Sequence, residues 1–171
     1  CGTLKKCRIG QIGLGAAGMA IAKMLMYISG KPVLGADLSA AAMDRLEVHG
    51  GKRSTLGEIM ESSDVVVATT GAPGLIRPSM VRKGQIILAL SNPKPEIEPA
   101  VAREAGAAFS LDGKSVNNVL GFPGIFRGAV DADVPRITQD MLVAAAQAIA
   151  DHAPAGEVVP NPLDKDLHKK V

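Results

Sequence analysis

Three glycines near the start of the chain have the spacing of a phosphate-binding turn. Residues 8–18 read Arg-Ile-Gly-Gln-Ile-Gly-Leu-Gly-Ala-Ala-Gly, so Gly13, Gly15 and Gly18 form the pattern G-x-G-x-x-G after an apolar run. In a strand–turn–helix unit, the first glycine allows a tight turn, the second lets the backbone approach a pyrophosphate, and the third lets the helix lie close to the sheet. Amide groups and the dipole at the helix N-terminus then stabilise the anion. The pattern predicts a diphosphate site at this turn.

An acidic residue follows the glycines at the distance that such a site requires. Asp37 ends a second apolar run, residues 32–37. A carboxylate about twenty residues past the glycines can accept hydrogen bonds from an adenosine ribose, and it would repel a 2′-phosphate, which favours NAD over NADP. Two alternatives remain open. Asp37 caps only the helix that follows it, or the turn belongs to a methyltransferase-type α/β domain that holds an adenosyl cofactor.

Further polar residues stand where other predicted strands end. The strand-like runs 64–70 and 85–90 end at Thr70 and shortly before Asn92. Because ligands of parallel sheets bind at the carboxyl ends of the strands, we expect these residues to converge with the glycine turn. For Thr70 and Asn92, the alternative is that each only forms a turn. The residues predicted to bind the dinucleotide are Gly13, Gly15, Ala16, Ala17, Gly18, Asp37, Thr69, Thr70, Gly71 and Asn92.

Strand-like and helix-like segments alternate at short intervals. The first helix is predicted over residues 19–28 and ends at Gly30, Ser39 is the predicted N-cap of the second, and Thr55 with Glu58 has the capping-box spacing at the start of the third. Further helices are predicted at residues 99–105, near Ile125 and at residues 138–152. Such alternation is typical of βαβ units and predicts an α/β fold, a doubly wound, mostly parallel sheet of the Rossmann type.

Length and composition restrict the class of protein further. The 171 residues fit one domain, 1–171, in which residues 153–171 form a C-terminal tail. A net charge of +2 and 2% aromatic residues argue against nucleic acid as a partner. No apolar run reaches the ~18 residues of a membrane span, so we expect a cytoplasmic protein without a membrane partner. Because the chain begins with Cys1 rather than Met, we interpret it as a fragment of a longer chain.

Two later segments resemble a known family. Residues 89–97 read Ala-Leu-Ser-Asn-Pro-Lys-Pro-Glu-Ile, and residues 116–129 read Val-Asn-Asn-Val-Leu-Gly-Phe-Pro-Gly-Ile-Phe-Arg-Gly-Ala. Both resemble characteristic segments of the NAD-binding C-terminal domain of bacterial malic enzymes. Residues 13–25, 70–75, 137–150 and 159–164 also match, so the resemblance covers nearly the whole chain.

The resemblance implies a function for the full-length protein. Malic enzymes oxidatively decarboxylate malate to pyruvate and carbon dioxide, reduce NAD(P), and require Mg or Mn. It also implies that Asn92 and Asn117 contact the cofactor and that Asn92, Asn117 and Asn118 contact the substrate. A neutral amide suits these roles, because it donates to carboxylate or hydroxyl oxygens and accepts from a ribose hydroxyl. The alternative for the paired asparagines is an ordinary turn.

The resemblance further implies which parts of the enzyme lie elsewhere. The family's catalytic tyrosine and lysine, and its glutamate and aspartate metal ligands, lie upstream in an N-terminal domain, so we predict no catalytic residue and no metal ligand in this chain. We expect the chain alone to bind NAD weakly without turning over malate, and the full-length protein to be a homodimer. Two other functions remain open: a malolactic-type enzyme that delivers lactate, and a non-catalytic nucleotide-sensing Rossmann module.

Overall fold

The computed structural model describes residues 3–116 and 118–171. The chain forms two compact units, Cys1–Ser115 and Val116–Val171. The first unit holds a six-stranded sheet in the order β3-β2-β1-β4-β5-β6, and every neighbouring pair is parallel. The strands are β1 (Ile9–Ile12), β2 (Leu34–Ala36), β3 (Lys52–Arg53), β4 (Val65–Ala68), β5 (Ile86–Ala89) and β6 (Phe109–Asp112). The predicted doubly wound parallel sheet is confirmed.

Helices connect the strands and follow the local sequence signals. They are α1 (Ala16–Ser29), α2 (Ala40–Val48), α3 (Leu56–Ser62) and α4 (Pro99–Glu104), with single 3-10 turns at Leu4–Lys6 and Pro78–Met80. Gly30 ends α1 in the left-handed conformation at φ 67°. The Ser39 side chain caps α2, and Thr55 forms a reciprocal capping box with Glu58 at the start of α3. The predicted helix ends at these residues are therefore confirmed.

Two apolar clusters cover the sheet. One includes Val66 of β4 with Ile59 of α3, and the other includes the adjacent Val65 with Leu46 of α2. Because successive residues of a strand point to opposite faces of its sheet, the two clusters lie on opposite faces. All four residues of β1 and of β4 are buried, as expected for central strands covered by helices on both sides. The first unit is a three-layer α/β/α structure.

The second unit is helical. A 3-10 turn, Asn118–Leu120, precedes α5 (Phe122–Asp131), α6 (Gln139–His152) and α7 (Lys165–Lys170). The helices predicted near Ile125 and up to His152 are confirmed, whereas α7 was not predicted and lies in the segment interpreted as a tail. Leu167 anchors α7 because its side chain is fully buried. Among the described residues of the chain, no helix has the length and apolar character needed to cross a lipid bilayer.

Candidate functional site

The glycine turn connects β1 to α1 and is tightly enclosed on one side. Gly13 has a φ of +87°, which side-chain-bearing residues rarely adopt, and its amide donates to the Ala36 carbonyl oxygen at 2.8 Å. A Cβ atom on Gly18 would overlap the Gly13 carbonyl oxygen and lie 2.7 Å from Thr69 Oγ1. These two glycines therefore allow the helix, the turn and the end of β4 to approach one another, as the motif predicts.

Gly15, by contrast, faces open space. A Cβ atom built on this residue would meet no protein atom within 4 Å, and Gly15, Ala16 and Ala17 are all exposed. In the described part of the chain, no side chain caps α1 and no acidic residue occupies its first turn. The helices α2 and α3 both have side-chain caps, so α1 differs from them in leaving its first amides to another partner. This end of α1 has the space and the polarity for an anion.

Asp37 lies directly beside this turn and binds two backbone amides. Its Oδ2 accepts a hydrogen bond from the Leu14 amide at 2.6 Å, and its Oδ1 accepts one from the Ser39 amide at 2.8 Å. A carboxylate offers about four lone-pair positions, so each oxygen retains capacity for a further donor. The structure thus holds Asp37 in a fixed orientation, with acceptors left for a ligand hydroxyl.

A buried glutamine holds the glycine turn by hydrogen bonds, and the sequence analysis gave this residue no role. Gln11 is fully buried in β1, and its Nε2 donates to the Gly13 carbonyl oxygen and to Thr69 Oγ1, both at 3.0 Å. Thr69 Oγ1 also donates to the Gly13 carbonyl oxygen at 3.2 Å. A polar residue inside an otherwise apolar strand was the available signal. The partners of Gln11 could not be read from the sequence, because Thr69 lies 58 residues away.

The loop after β4 depends on a buried carboxylate that was also given no role in the sequence analysis. Glu96 Oε1 accepts hydrogen bonds from the Thr70 amide at 2.6 Å, from Thr70 Oγ1 at 2.8 Å and from Ser91 Oγ at 2.6 Å. Burial acts to raise the pKa of this carboxyl group, but the hydrogen bonds from Ser91 and Thr70 outweigh it, and the net pKa lies below the usual range. The ends of β4 and β5 are joined through Glu96.

These elements enclose a cleft of about 560 Å³ at the carboxyl ends of the strands. It lies where the strand order reverses between β1 and β4. Of the residues predicted to bind the dinucleotide, the structure brings five into the lining of this one cleft: Gly13, Gly15, Asp37, Thr69 and Thr70. The lining also includes Leu38, Ser54, Thr55, Leu56, Ala72 and Leu75, which were not predicted as site residues.

The other predicted residues lie outside this lining or cannot be placed against it. Gly71 is exposed and its amide donates to Ser91 Oγ at 2.8 Å. The exposed Asn92 donates through Nδ2 to the Gly113 carbonyl oxygen at 3.3 Å, so its amide is held by the loop after β6. Asn117 lies outside the described residues. Asn118 begins the 3-10 turn of the second unit. The roles given to these residues stay predictions.

A parallel sheet of this strand order, with an open glycine turn and an acidic residue at its reversal point, defines a Rossmann-type dinucleotide-binding domain. The family described as "Malic enzyme, NAD binding domain" matches residues 110–163. NAD-dependent malic enzyme 1 of Bacillus subtilis is 60% identical over 169 residues, which are 98% of this chain and 38% of that protein. The chain belongs to the malic enzyme family and corresponds to its NAD-binding domain.

Two further comparisons agree with this assignment. The bifunctional malic/malolactic enzyme of Bacillus subtilis is 36% identical over 180 residues, covering 90% of this chain and 44% of that protein. The crystal structure of the malic enzyme from Pyrococcus horikoshii superimposes with a TM-score of 0.85 at 30% identity, over 98% of this chain and 46% of that chain. The chain thus spans less than half the length of each of these relatives.

Proposed function

We propose that the protein containing this chain is an NAD-dependent malic enzyme, which oxidatively decarboxylates malate to pyruvate and carbon dioxide, and that this chain holds the dinucleotide. The observation that carries the proposal is the open space at Gly15, at the uncapped end of α1 and beside Asp37. The 60% identity to an enzyme named NAD-dependent malic enzyme supports the choice of reaction.

The geometry of the turn supports a specific mode of binding. The first amides of α1, around Gly15 to Gly18, would hold the diphosphate, since a backbone without side chains can approach it closely. Asp37 would accept hydrogen bonds from the adenosine ribose with the lone pairs that Leu14 and Ser39 leave free. The same carboxylate would repel a 2′-phosphate, which supports NAD over NADP as the preferred cofactor.

The remaining residues of the cleft would orient the other half of the dinucleotide. When bound, the nicotinamide supplies an acceptor for the hydride that leaves the substrate carbon. Thr69 and Thr70 line the cleft on the side of β4, and Gly71 follows them, so this loop would fix the position of the second mononucleotide. We assign Asn92, Asn117 and Asn118 to the substrate side, where side-chain amides can donate to carboxylate oxygens.

The divalent metal of the proposed reaction requires ligands from elsewhere in the protein. Within residues 3–116 and 118–171, no group of three or more His, Cys, Asp or Glu side chains could hold a metal ion. We therefore propose that Mg or Mn binds outside this chain, and we derive no step of the reaction from a metal held here. We also propose that the full-length protein is a homodimer, which sedimentation analysis tests.

A kinetic comparison in the full-length protein tests the proposal. We expect malate-dependent reduction of NAD⁺ in the presence of Mn²⁺, with pyruvate and carbon dioxide as products. The Gly15→Val variant should bind NAD⁺ at least about tenfold more weakly, because its side chain would fill the space meant for the diphosphate. The control is Gly57→Ala in α3. A Cβ atom at this exposed residue would also meet no protein atom within 4 Å, but Gly57 does not line the cleft. Equal NAD⁺ affinity in the two variants contradicts the proposal.

A malolactic reaction is the second candidate, and one comparison favours it. A relative named bifunctional malic/malolactic enzyme aligns with 90% of the chain. Such an enzyme would convert malate to lactate and carbon dioxide. Analysis of the organic acid formed by the full-length protein separates the two functions, because pyruvate with an equal amount of NADH indicates a malic enzyme, whereas lactate without net NADH indicates the malolactic reaction.

A further inference from the structure

Glu96 has a fully buried carboxylate. Its side chain has no solvent exposure, and within residues 3–116 and 118–171 it forms no salt bridge. A buried charge of this kind is costly unless hydrogen bonds compensate for it. Thr70 and Ser91 provide three such bonds to Oε1, and all of them come from uncharged donors.

The bonds to Glu96 fix the direction of two hydroxyl groups, and these in turn hold backbone amides. Since Thr70 Oγ1 donates to Glu96, it is free to accept from the Ala72 amide, which it does at 3.1 Å. Ser91 Oγ likewise donates to Glu96 and accepts from the Gly71 amide at 2.8 Å. Together with the Thr70 amide, three consecutive amides of the loop after β4 are thereby satisfied by one network centred on Glu96.

The backbone around Glu96 secures the same loop a few residues later. The Ile76 amide donates to the Glu96 carbonyl oxygen at 3.0 Å, and the Gly74 amide donates to the Pro95 carbonyl oxygen at 3.3 Å. Thr70, Ala72 and Leu75 all line the cleft. The segment that carries Glu96 therefore supports the loop that contributes these three lining residues, and does not itself line the cleft.

We propose that Glu96 is a positioning residue of the dinucleotide site, whose carboxylate holds the loop of residues 70–76 in the shape that receives the nicotinamide half of NAD. This inference rests on the proposed function. Asp37 follows β2 and would hold the adenosine ribose, so the loop after β4 lies on the side of the other mononucleotide. A glutamine cannot replace Glu96 fully, because its amino group would face the Ser91 amide, which donates to Oε2 at 3.4 Å.

Binding measurements on the full-length protein separate this role from a general effect on folding. The ligands are NAD⁺ and ADP, since ADP carries the adenosine and diphosphate but lacks the nicotinamide half. In Glu96→Gln we expect the Kd for NAD⁺ to rise about tenfold and the Kd for ADP to stay within about twofold of the wild-type value. The control is Glu98→Gln, an exposed residue of the same segment whose side chain makes no capping bond to α4, and it should leave both constants unchanged.

Steady-state kinetics supply a second readout. We expect the loop of residues 70–76 to bind the cofactor equally in the ground state and the transition state. Glu96→Gln should therefore raise the KM for NAD⁺ about tenfold and lower kcat by less than about threefold. A purely structural defect would instead reduce the active fraction of the protein, which lowers kcat and leaves KM unchanged.

The Ser91→Ala variant is a second test, which remains informative if Glu96→Gln does not fold. Where both variants fold, a double-mutant cycle completes the comparison. Ser91→Ala removes the acceptor of the Gly71 amide and should itself weaken NAD⁺ binding but not ADP binding. Since both side chains act through one network, their effects should be less than additive. Equal losses for NAD⁺ and ADP, or none in either variant, overturn the inference. If the wild-type protein binds neither ligand, the proposed function itself fails.

Discussion

Gly15 and Gly18 belong to one sequence motif but meet different physical demands. Gly18 is buried, and any side chain there would collide with the Gly13 carbonyl oxygen, so this glycine serves the packing of α1 on the sheet. Gly15 is exposed, has an ordinary φ of −64°, and has no protein atom near its absent side chain. The fold does not require a glycine at position 15, and we propose that its small size serves the approach of the diphosphate.

This difference predicts opposite outcomes for two alanine substitutions. Gly18→Ala should lower the free energy of unfolding by about 1–3 kcal/mol, because the added methyl group forces α1 away from the turn. Gly15→Ala should change it by less than about 1 kcal/mol, the range of an N-cap substitution. Urea denaturation of both variants measures the difference. Similar stabilities for Gly18→Ala and the wild type would show that the turn is looser than the structure indicates.

Asp37 contacts the glycine turn and also lines the cleft. Its position after β2 led to the expectation of a ribose ligand, and the structure adds a bond of 2.6 Å to the Leu14 amide inside the glycine turn. The carboxylate therefore holds the glycine turn, where we propose that the diphosphate binds, as well as lining the cleft. A substitution of Asp37 would disturb both parts, so it discriminates poorly between loss of ribose contacts and loss of the turn.

At the scale of elements, helix ends depend on residues that stand close together in the sequence. Two glycines have open space around them, so substitutions there distinguish the effect of helix propensity on stability from that of backbone strain. Gly57 lies in α3, and Gly50 follows α2 with a φ of +90°. Gly57→Ala should raise the free energy of unfolding by about 0.5–1 kcal/mol, since alanine restricts the unfolded chain and favours helix. Gly50→Ala should lower it by about 1–2 kcal/mol, because a Cβ atom is disfavoured at that φ.

Thermal and urea unfolding of these two variants provide the measurement. Neither residue lines the cleft, so NAD⁺ affinity should match that of the wild type in both. The prediction is wrong if the two substitutions change stability in the same direction. An added Cβ atom would meet no protein atom within 4 Å at either residue, but only Gly50 of the two has a positive φ.

Local signals explain which elements could be predicted from the sequence. The caps at Ser39 and Thr55 and the left-handed Gly30 each involve residues within four positions of one another, and all three were predicted correctly. The helix α7 was missed although Asp164 caps it by accepting from the Asp166 amide at 2.9 Å. Its six residues offered too short a pattern, and the burial of Leu167 depends on the packing of the second unit.

The parts of the site that could not be predicted depend on contacts between distant residues. Gln11 bonds to Thr69 across 58 positions, and Glu96 bonds to Thr70 across 26. In the sequence, Glu96 follows the run Pro93-Lys94-Pro95 and has the appearance of an exposed loop residue. Only the parallel arrangement of β1, β4 and β5 brings these groups together, so their roles follow from the fold and not from the local pattern.

At the scale of the whole molecule, Glu96 also links stability to pH. Hydrogen bonds hold its pKa in the folded protein below its ordinary value of 4.5, despite burial, which acts in the opposite direction. A carboxyl group with a lowered folded-state pKa stabilises the protein above its unfolded-state pKa, and this contribution is lost as the pH falls towards the folded-state value. The free energy of unfolding should therefore decrease below pH 4.5 partly because of this one residue.

Urea denaturation at a series of pH values tests this linkage. Glu96→Gln should be less stable than the wild type at neutral pH and should lose less stability on acidification, because it has no proton to take up at this site. Glu98→Gln is the matched control and should keep the acid dependence of the wild type. If the free energies of unfolding of Glu96→Gln and the wild type fall by the same amount on acidification, other carboxylates determine the acid dependence.

The division of labour within the full-length protein leads to the last prediction. Every residue that lines the cleft belongs to the unit Cys1–Ser115, so the lining of the cleft comes entirely from this unit. The chain spans only 38% of a relative named as an NAD-dependent malic enzyme. We therefore expect a protein of these 171 residues to bind NADH, which a change in the fluorescence of NADH would show. We expect it to form no NADH from malate and NAD⁺. Addition of Mn²⁺ should not alter this result, whereas metal-dependent malate oxidation by the chain alone would refute it.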